Sequence, residues 1–175
     1  MIKYFFPAEM ADSVFDIDYD KFWETGIRGL IFDIDNTLAT FDVALPDEAT
    51  AALLKGLAEK GFAICFLSNN GRERVEVFSK DLGYPFVWRA GKPMLRGFKQ
   101  ALEMLGLEKN EILLIGDQLF TDCWVGKRAG VHTILTKPIA RRDEWTVKLK
   151  RWPEKVVMKA YYKSLGRDSR GERCD

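Results

Sequence analysis

Asp33-Ile34-Asp35-Asn36-Thr37-Leu38 follows directly on the apolar run Gly29-Leu30-Ile31-Phe32. Two carboxylates one residue apart, at the end of what reads as a buried strand, are poor core material. An ionised carboxylate loses hydration on burial unless it is paired or bound to a metal. Alternation of side chains along an extended segment puts Asp33 and Asp35 on one side, which suits shared work on one phosphate and one cation. Polar residues close two more apolar runs in the same manner. Ser68-Asn69-Asn70-Gly71 follows residues 62–67, and Gly116-Asp117 follows residues 112–115.

The elements that must position these residues alternate along the chain. Residues 28–32, 62–67, 112–115 and 131–135 read as largely apolar strands, with a shorter strand around 86–88. Between them, Leu45-Pro46-Asp47-Glu48 opens a helix, with Pro near the first turn and acids near the positive end of the dipole. Further helices are expected over about 72–80, after Lys92-Pro93 and over 122–129. Strand–helix repetition of this kind predicts an α/β fold with a central parallel sheet covered on both faces. Ligands of such sheets bind in the crevice outside the carboxyl ends of the strands, where Asp33, Ser68 and Asp117 collect.

With 175 residues and 47% hydrophobic content, the chain has room for a substantial core, and no run approaches the length of a membrane span. The N-terminus, with Pro7, Glu9 and Asp12 among its apolar residues, does not read as a signal peptide. Cys65, Cys123 and Cys174 are too few and scattered for a disulfide framework, so a cytoplasmic location is expected. Charge is unevenly spread. Residues 1–136 hold 15 basic and 20 acidic side chains, a net of −5, and residues 137–175 hold 12 and 6, a net of +6. Arg141, Arg142 and residues 148–151, with Trp145 and Trp152, could meet the inner face of an anionic membrane peripherally. A C-terminal helix whose aromatic residues pack on the sheet is the competing reading. No specific nucleic acid is expected as a partner.

Asp33-x-Asp35-x-Thr37, Ser68, Lys92 and Gly116-Asp117-x-x-x-x-Asp122 together resemble the four ordered motifs of haloacid-dehalogenase (HAD)-type phosphatases. Residues 29–38 and 116–122 more closely resemble the small bacterial YqeG group, a group that in turn resembles phosphatidylglycerophosphate phosphatases. The resemblance implies a three-layer Rossmann-like HAD fold and phosphomonoester hydrolysis through an aspartyl-phosphate. It makes Asp33 the nucleophile and Asp35 the acid and base. Ser68, the Asn69 amide and Lys92 become phosphate ligands. Mg²⁺ falls to Asp33, Asp117 and the Asp35 carbonyl, with Asp122 binding through water or bracing its loop. Thr37 is expected to close the motif-I turn by hydrogen bonding, and Asn36, Asn70 and Gln118 to orient loops or substrate. His132 reads as a core-edge residue, and Cys123 lies near the site without a clear base.

The domain reading is an N-terminal arm over 1–27 packed on the core, a catalytic core over 28–136, and a basic C-terminal helical extension and tail over 137–175. The intervals from Asp35 to Ser68 and from Ser68 to Lys92 are too short for a large cap. An open mouth suits the exposed phosphate of a bulky molecule, and the resemblance points to the headgroup of phosphatidylglycerophosphate. A noncatalytic phosphate-recognition or scaffold protein, or a phosphatase for small sugar phosphates or nucleotides, are the alternatives.

Overall fold

The computed structural model describes residues 5–140 and 145–165, and of residues 145–153 and 155 the backbone alone. Six parallel strands form one sheet: β1 (Glu9–Ala11), β2 (Gly29–Phe32), β3 (Ala63–Leu67), β4 (Phe86–Val87), β5 (Ile112–Gly116) and β6 (His132–Thr136). Their spatial order is β1-β6-β5-β2-β3-β4. The helices are α1 (Tyr19–Glu24), α2 (Glu48–Glu59), α3 (Arg72–Ser79), α4 (Leu95–Leu105), α5 (Trp124–Ala129) and α6 (Trp145–Ser164). A short π-helical turn, Leu119–Cys123, leads into α5.

Every residue of β2 and β5 is buried, as a central parallel strand requires when helices cover both faces. Alternation sorts their side chains between two cores. Leu30, Phe32, Phe66 and Ile115 pack with Leu54 of α2 and Phe78 of α3, whereas Ile31, Cys65, Leu67 and Leu114 pack with Phe98 of α4 and Val125 of α5. These layers match the expected architecture. Between Asp35 and Ser68 lie a loop, α2 and β3, and between Ser68 and Lys92 lie α3 and β4.

Three local readings are refined. Residues 9–11, within the N-terminal segment expected to pack on the core, add an edge strand to the sheet, pairing in parallel with β6. Pro46 stands before the first turn of α2. Asp47 is the N-cap, and its carboxylate accepts from Thr50 N at 2.7 Å. The helix expected from residue 122 is a π turn followed by a shorter α-helix.

Helix α6 closes the β1–β6 side of the sheet. Val157 and Met158 join Leu119, Cys123 and Leu135 in a third cluster, and the Tyr161 ring meets Phe6 edge-on at 5.3 Å. The expectation for Arg141 and Arg142, and for the side chains of Trp145, Trp152 and residues 148–151, lies outside the described residues. Among the described residues, no helix is long and apolar enough to cross a membrane.

Candidate active site

Asp33 leaves the end of β2, where its N–H donates to Ile115 O at 2.9 Å. The chain then turns sharply. Asn36 adopts a left-handed conformation (φ 65°), which asparagine tolerates better than most residues. Asn36 N donates to Ala39 O at 2.7 Å, and the N–H groups of Thr37, Leu38 and Ala39 converge on Ile34 O. The turn is therefore closed by backbone. Thr37 takes part in that closure through its N–H, while its hydroxyl is buried and has no hydrogen-bond partner among the described residues.

Lys92 joins the motifs that the sequence separates. Its ammonium donates to Asp33 Oδ1 at 2.7 Å and to Asp122 Oδ1 at 2.6 Å, and all three side chains are almost wholly buried. Asn69 fixes the lysine from its backbone: Lys92 N donates to Asn69 Oδ1 at 2.7 Å, and Asn69 Nδ2 donates to Lys92 O at 3.1 Å. On the opposite side, Arg128 of α5 donates to Pro93 O at 2.9 Å. Ser68, at the end of β3, accepts from Asn70 N through its hydroxyl at 3.1 Å, so the hydroxyl proton remains to be donated elsewhere.

Asp117 and Asp122 enclose the loop after β5. Asp122 Oδ2 accepts from Gln118 N at 3.1 Å and from the Thr121 hydroxyl at 3.3 Å, while Oδ1 holds Lys92. Asp122 is thus a brace whose two oxygens are both in use. Gly116 makes room for it, since a Cβ at that position would overlap the Asp122 carboxyl carbon.

Ligand oxygens from Asp33, Asp117 and Asp122, all buried, lie within 4.8 Å of one another. Three carboxylates against one ammonium leave excess negative charge, and hard oxygen donors of this kind fit a divalent cation such as Mg²⁺ or Ca²⁺. With protein groups alone, burial foremost and then the Asp122 charge push the Asp33 carboxyl up to about 7, against the opposing pull of Lys92. Burial works against the Lys92 ammonium, but Asp122 and Asp33 outweigh it and raise its pKa above the ordinary lysine value.

Asp35 stands apart from this cluster. Asn70 Nδ2 donates to its Oδ2 at 2.7 Å, and Arg74 Nε donates to its Oδ1 at 3.2 Å. Sequence reasoning placed Asn70 near the site and overlooked Arg74. A signal was present: a cation in the first turn of a helix opposes the helix dipole, so Arg74 in the first turn of α3 implies an anionic partner. Glu154 of α6 was overlooked as well; it accepts from Leu119 N at 3.1 Å and so holds the loop between Asp117 and Asp122. Its distance in sequence gave no warning.

Two other candidates fall away from the chemistry. His132, the exposed first residue of β6, sits between the Phe22 ring, 5.3 Å away, and Glu9, 3.5 Å away. Cys123 is buried, and burial followed by the charges of Asp122, Glu154 and Asp117 raises its thiol well above the usual range, which removes it as a thiolate nucleophile.

Strand-end carboxylates linked by one buried lysine, on a parallel sheet of this order, define the class of HAD-like hydrolases. Residues 89–161 match the HAD-hydrolase-like family model. "Probable phosphatase YqeG" of Bacillus subtilis (strain 168) is 36% identical over 158 residues, spanning 90% of this chain and 92% of that protein. The chain therefore belongs to the YqeG family of HAD-like phosphatases. It is also similar to phosphatidylglycerophosphate phosphatase 1, chloroplastic/mitochondrial, of Arabidopsis thaliana, at 26% identity over 73% of this chain and 39% of that one. Among solved structures, the cobalt-bound deoxy-D-mannose-octulosonate 8-phosphate phosphatase of Haemophilus influenzae shares the fold, with a TM-score of 0.53 at 16% identity over 84% of this chain and 93% of that chain.

Proposed function

We propose that this phosphatase is a magnesium-dependent phosphomonoesterase that works through an aspartyl-phosphate on Asp33. The observation that carries the reading is the Asp33–Lys92–Asp122 cluster beside Asp117, with Asp35 held separately two residues from the nucleophile. An oxygen of Asp33 attacks phosphorus as the bond to the leaving oxygen breaks, and Asp35 gives that oxygen a proton. Water then attacks the aspartyl-phosphate, its proton passes to Asp35, and Asp33 is released as a carboxylate with inorganic phosphate. Ser68 and the Asn69 amide donate to the phosphoryl oxygens, and Lys92 compensates charge on the nucleophile side. Asp33, Asp117 and the Asp35 carbonyl would hold Mg²⁺, which supplies charge neutralisation between carboxylate and phosphate. Asp122 serves as a brace, with Oδ1 holding Lys92 and Oδ2 accepting from Gln118 N, and would reach the cation through water.

The substrate reading is a lipid headgroup phosphate, with phosphatidylglycerophosphate first. Support comes from the name of the Arabidopsis relative and from a cavity of about 340 Å³ beside Asp117, lined by Met10, Leu119, Met158 and Tyr162 with Lys137. Peripheral contact of the basic segment 137–175 with an anionic bilayer belongs to the same reading, supported by its charge of +6. The test is phosphate release, with and without Mg²⁺, from phosphatidylglycerophosphate in mixed micelles, sugar phosphates, nucleotides and phosphopeptides, with Asp33→Asn as background. Turnover of soluble metabolites alone would overturn the lipid reading, and unchanged turnover by Asp33→Asn would overturn the mechanism.

A further inference from the structure

The groups around Asp35 do more than satisfy it. Arg74 approaches Asp35 Oδ1 with Nε at 3.2 Å and Nη2 at 3.1 Å. The same guanidinium donates from Nη1 to Ala44 O at 3.0 Å and from Nη2 to Thr40 O at 3.4 Å. Its carbon lies 5.6 Å from the centre of the Phe78 ring, one turn further along α3. One rigid, planar group therefore bridges helix α3, the carboxylate of Asp35 and two points on the loop that connects the motif-I turn to α2. Only Arg has the fixed fork of donors for this, since Lys offers a single point charge.

Asp35 is also restricted from its other side, where Oδ2 receives Asn70 Nδ2 at 2.7 Å. Both oxygens thus have a set direction, and the Arg74 and Asp35 side chains are only 16% and 14% exposed, so water competes weakly for these bonds. A proton donor must lie within hydrogen-bond reach of the departing oxygen, and small errors in its aim cost rate.

We propose that Arg74 is the positioning residue for Asp35 and that it couples the carboxylate to the loop at Thr40 and Ala44, so that loop and acid–base group are held as one unit. The proposal rests on the phosphatase reading for Asp35's role, while the coupling itself is a property of the fold.

Two measurements test it. The first is hydrogen–deuterium exchange of the full chain, as wild type, Arg74→Ala and Arg74→Lys, read on peptides covering residues 38–47. Faster exchange there in Arg74→Ala, with the peptides of β2 and β5 unchanged, is expected. Equal exchange in all three proteins overturns the coupling. The second is rapid-mixing kinetics with Mg²⁺ on p-nitrophenyl phosphate, whose leaving group needs no proton, and on an alkyl phosphomonoester, whose leaving group does. In Arg74→Ala a burst of nitrophenolate should precede turnover slowed by about 10- to 100-fold, a part of what general acid–base catalysis supplies. The alkyl ester should be slowed without a burst and with KM little changed. Equal loss on both esters without a burst, or an effect on KM alone, overturns the positioning role. Arg74→Lys, which keeps the charge and the helix, should resemble Arg74→Ala; wild-type behaviour in it overturns the argument from the fork. Wild-type protein releasing phosphate from neither ester counts against the phosphatase reading, and the exchange experiment still decides the coupling.

Discussion

The Lys92 ammonium lies 2.7 Å from the Asp33 carboxylate although 59 residues separate them in sequence. A second carboxylate, Asp122, receives the same ammonium at 2.6 Å, so one lysine bridges the acid that follows β2 and the acid of the π turn after β5, all almost wholly buried. Breaking one member of such a group leaves the others charged and buried, which costs far more than the pair contributes when intact.

Lys92→Ala should therefore lower both stability and turnover. The stability loss in metal-free protein should be about 3–5 kcal/mol, the scale for stranding buried charge. Denaturant unfolding in EDTA measures it. A loss no greater than that of a surface lysine such as Lys99 would contradict the buried-network account.

Stability of the metal-free protein should also depend on pH through Asp33. Its carboxyl titrates near 3.8 when unfolded and is pushed up to about 7 when folded, so the folded state binds the proton more tightly. Stability from this group is fully present below the unfolded value and is lost as pH rises through the folded one. Asp33→Asn, which carries no such proton, should gain stability relative to wild type as pH rises from 4 to 7 in EDTA. A constant difference across that interval would show that the burial of Asp33 has no energetic consequence.

Added Mg²⁺ should raise the unfolding temperature of wild type, because a ligand bound only by the folded state stabilises it by about 2.7 kcal/mol at a hundredfold excess over Kd. Asp117→Asn should lose most of that shift, and Asp122→Asn should lose stability even in EDTA. Thermal unfolding across a magnesium titration separates the two. An unchanged magnesium response in Asp117→Asn would remove Asp117 from the proposed ligand set.

Gly116→Ala makes the smallest change with the most direct steric reading. The new methyl overlaps the Asp122 carboxyl, whose other contacts hold it in place, so the brace must shift. A destabilisation of about 1–3 kcal/mol is expected, the range for overpacking a filled interior, with turnover falling alongside. Gly56→Ala, where a Cβ meets nothing within 4 Å, is the matched control.

The parts of the fold legible in sequence were those written as long apolar runs. Residues 29–32 and 112–116 could be read because parallel central strands are buried on both faces. Glu9–Ala11 escaped notice because three half-buried residues on an edge carry no comparable run. In the site, residues at strand ends were visible as polar groups where apolar ones were due. Arg74 offered only the indirect signal of a cation in the first turn of α3, and Glu154 offered none, because only the packing of α6 brings it to Leu119. Thr37 closes its turn through the backbone N–H, which any residue type could supply, and its hydroxyl has no partner among the described residues.

Strand β2 aligns Phe32 with Phe66 of β3 and with Ile115 of β5. That alignment sets the level at which Asp33, Ser68 and Asp117 emerge. Inserting one residue into β2 would advance Asp33 by about 3.3 Å and turn its side chain to the opposite face of the sheet. Such a step exceeds the tolerance of a hydrogen bond, so the distance between Asp33 and Lys92 is inherited from the spacing of the backbone ladder. The sheet acts as a ruler for the reaction, and its marks stay in place only while the count of residues along β2, β3 and β5 is preserved.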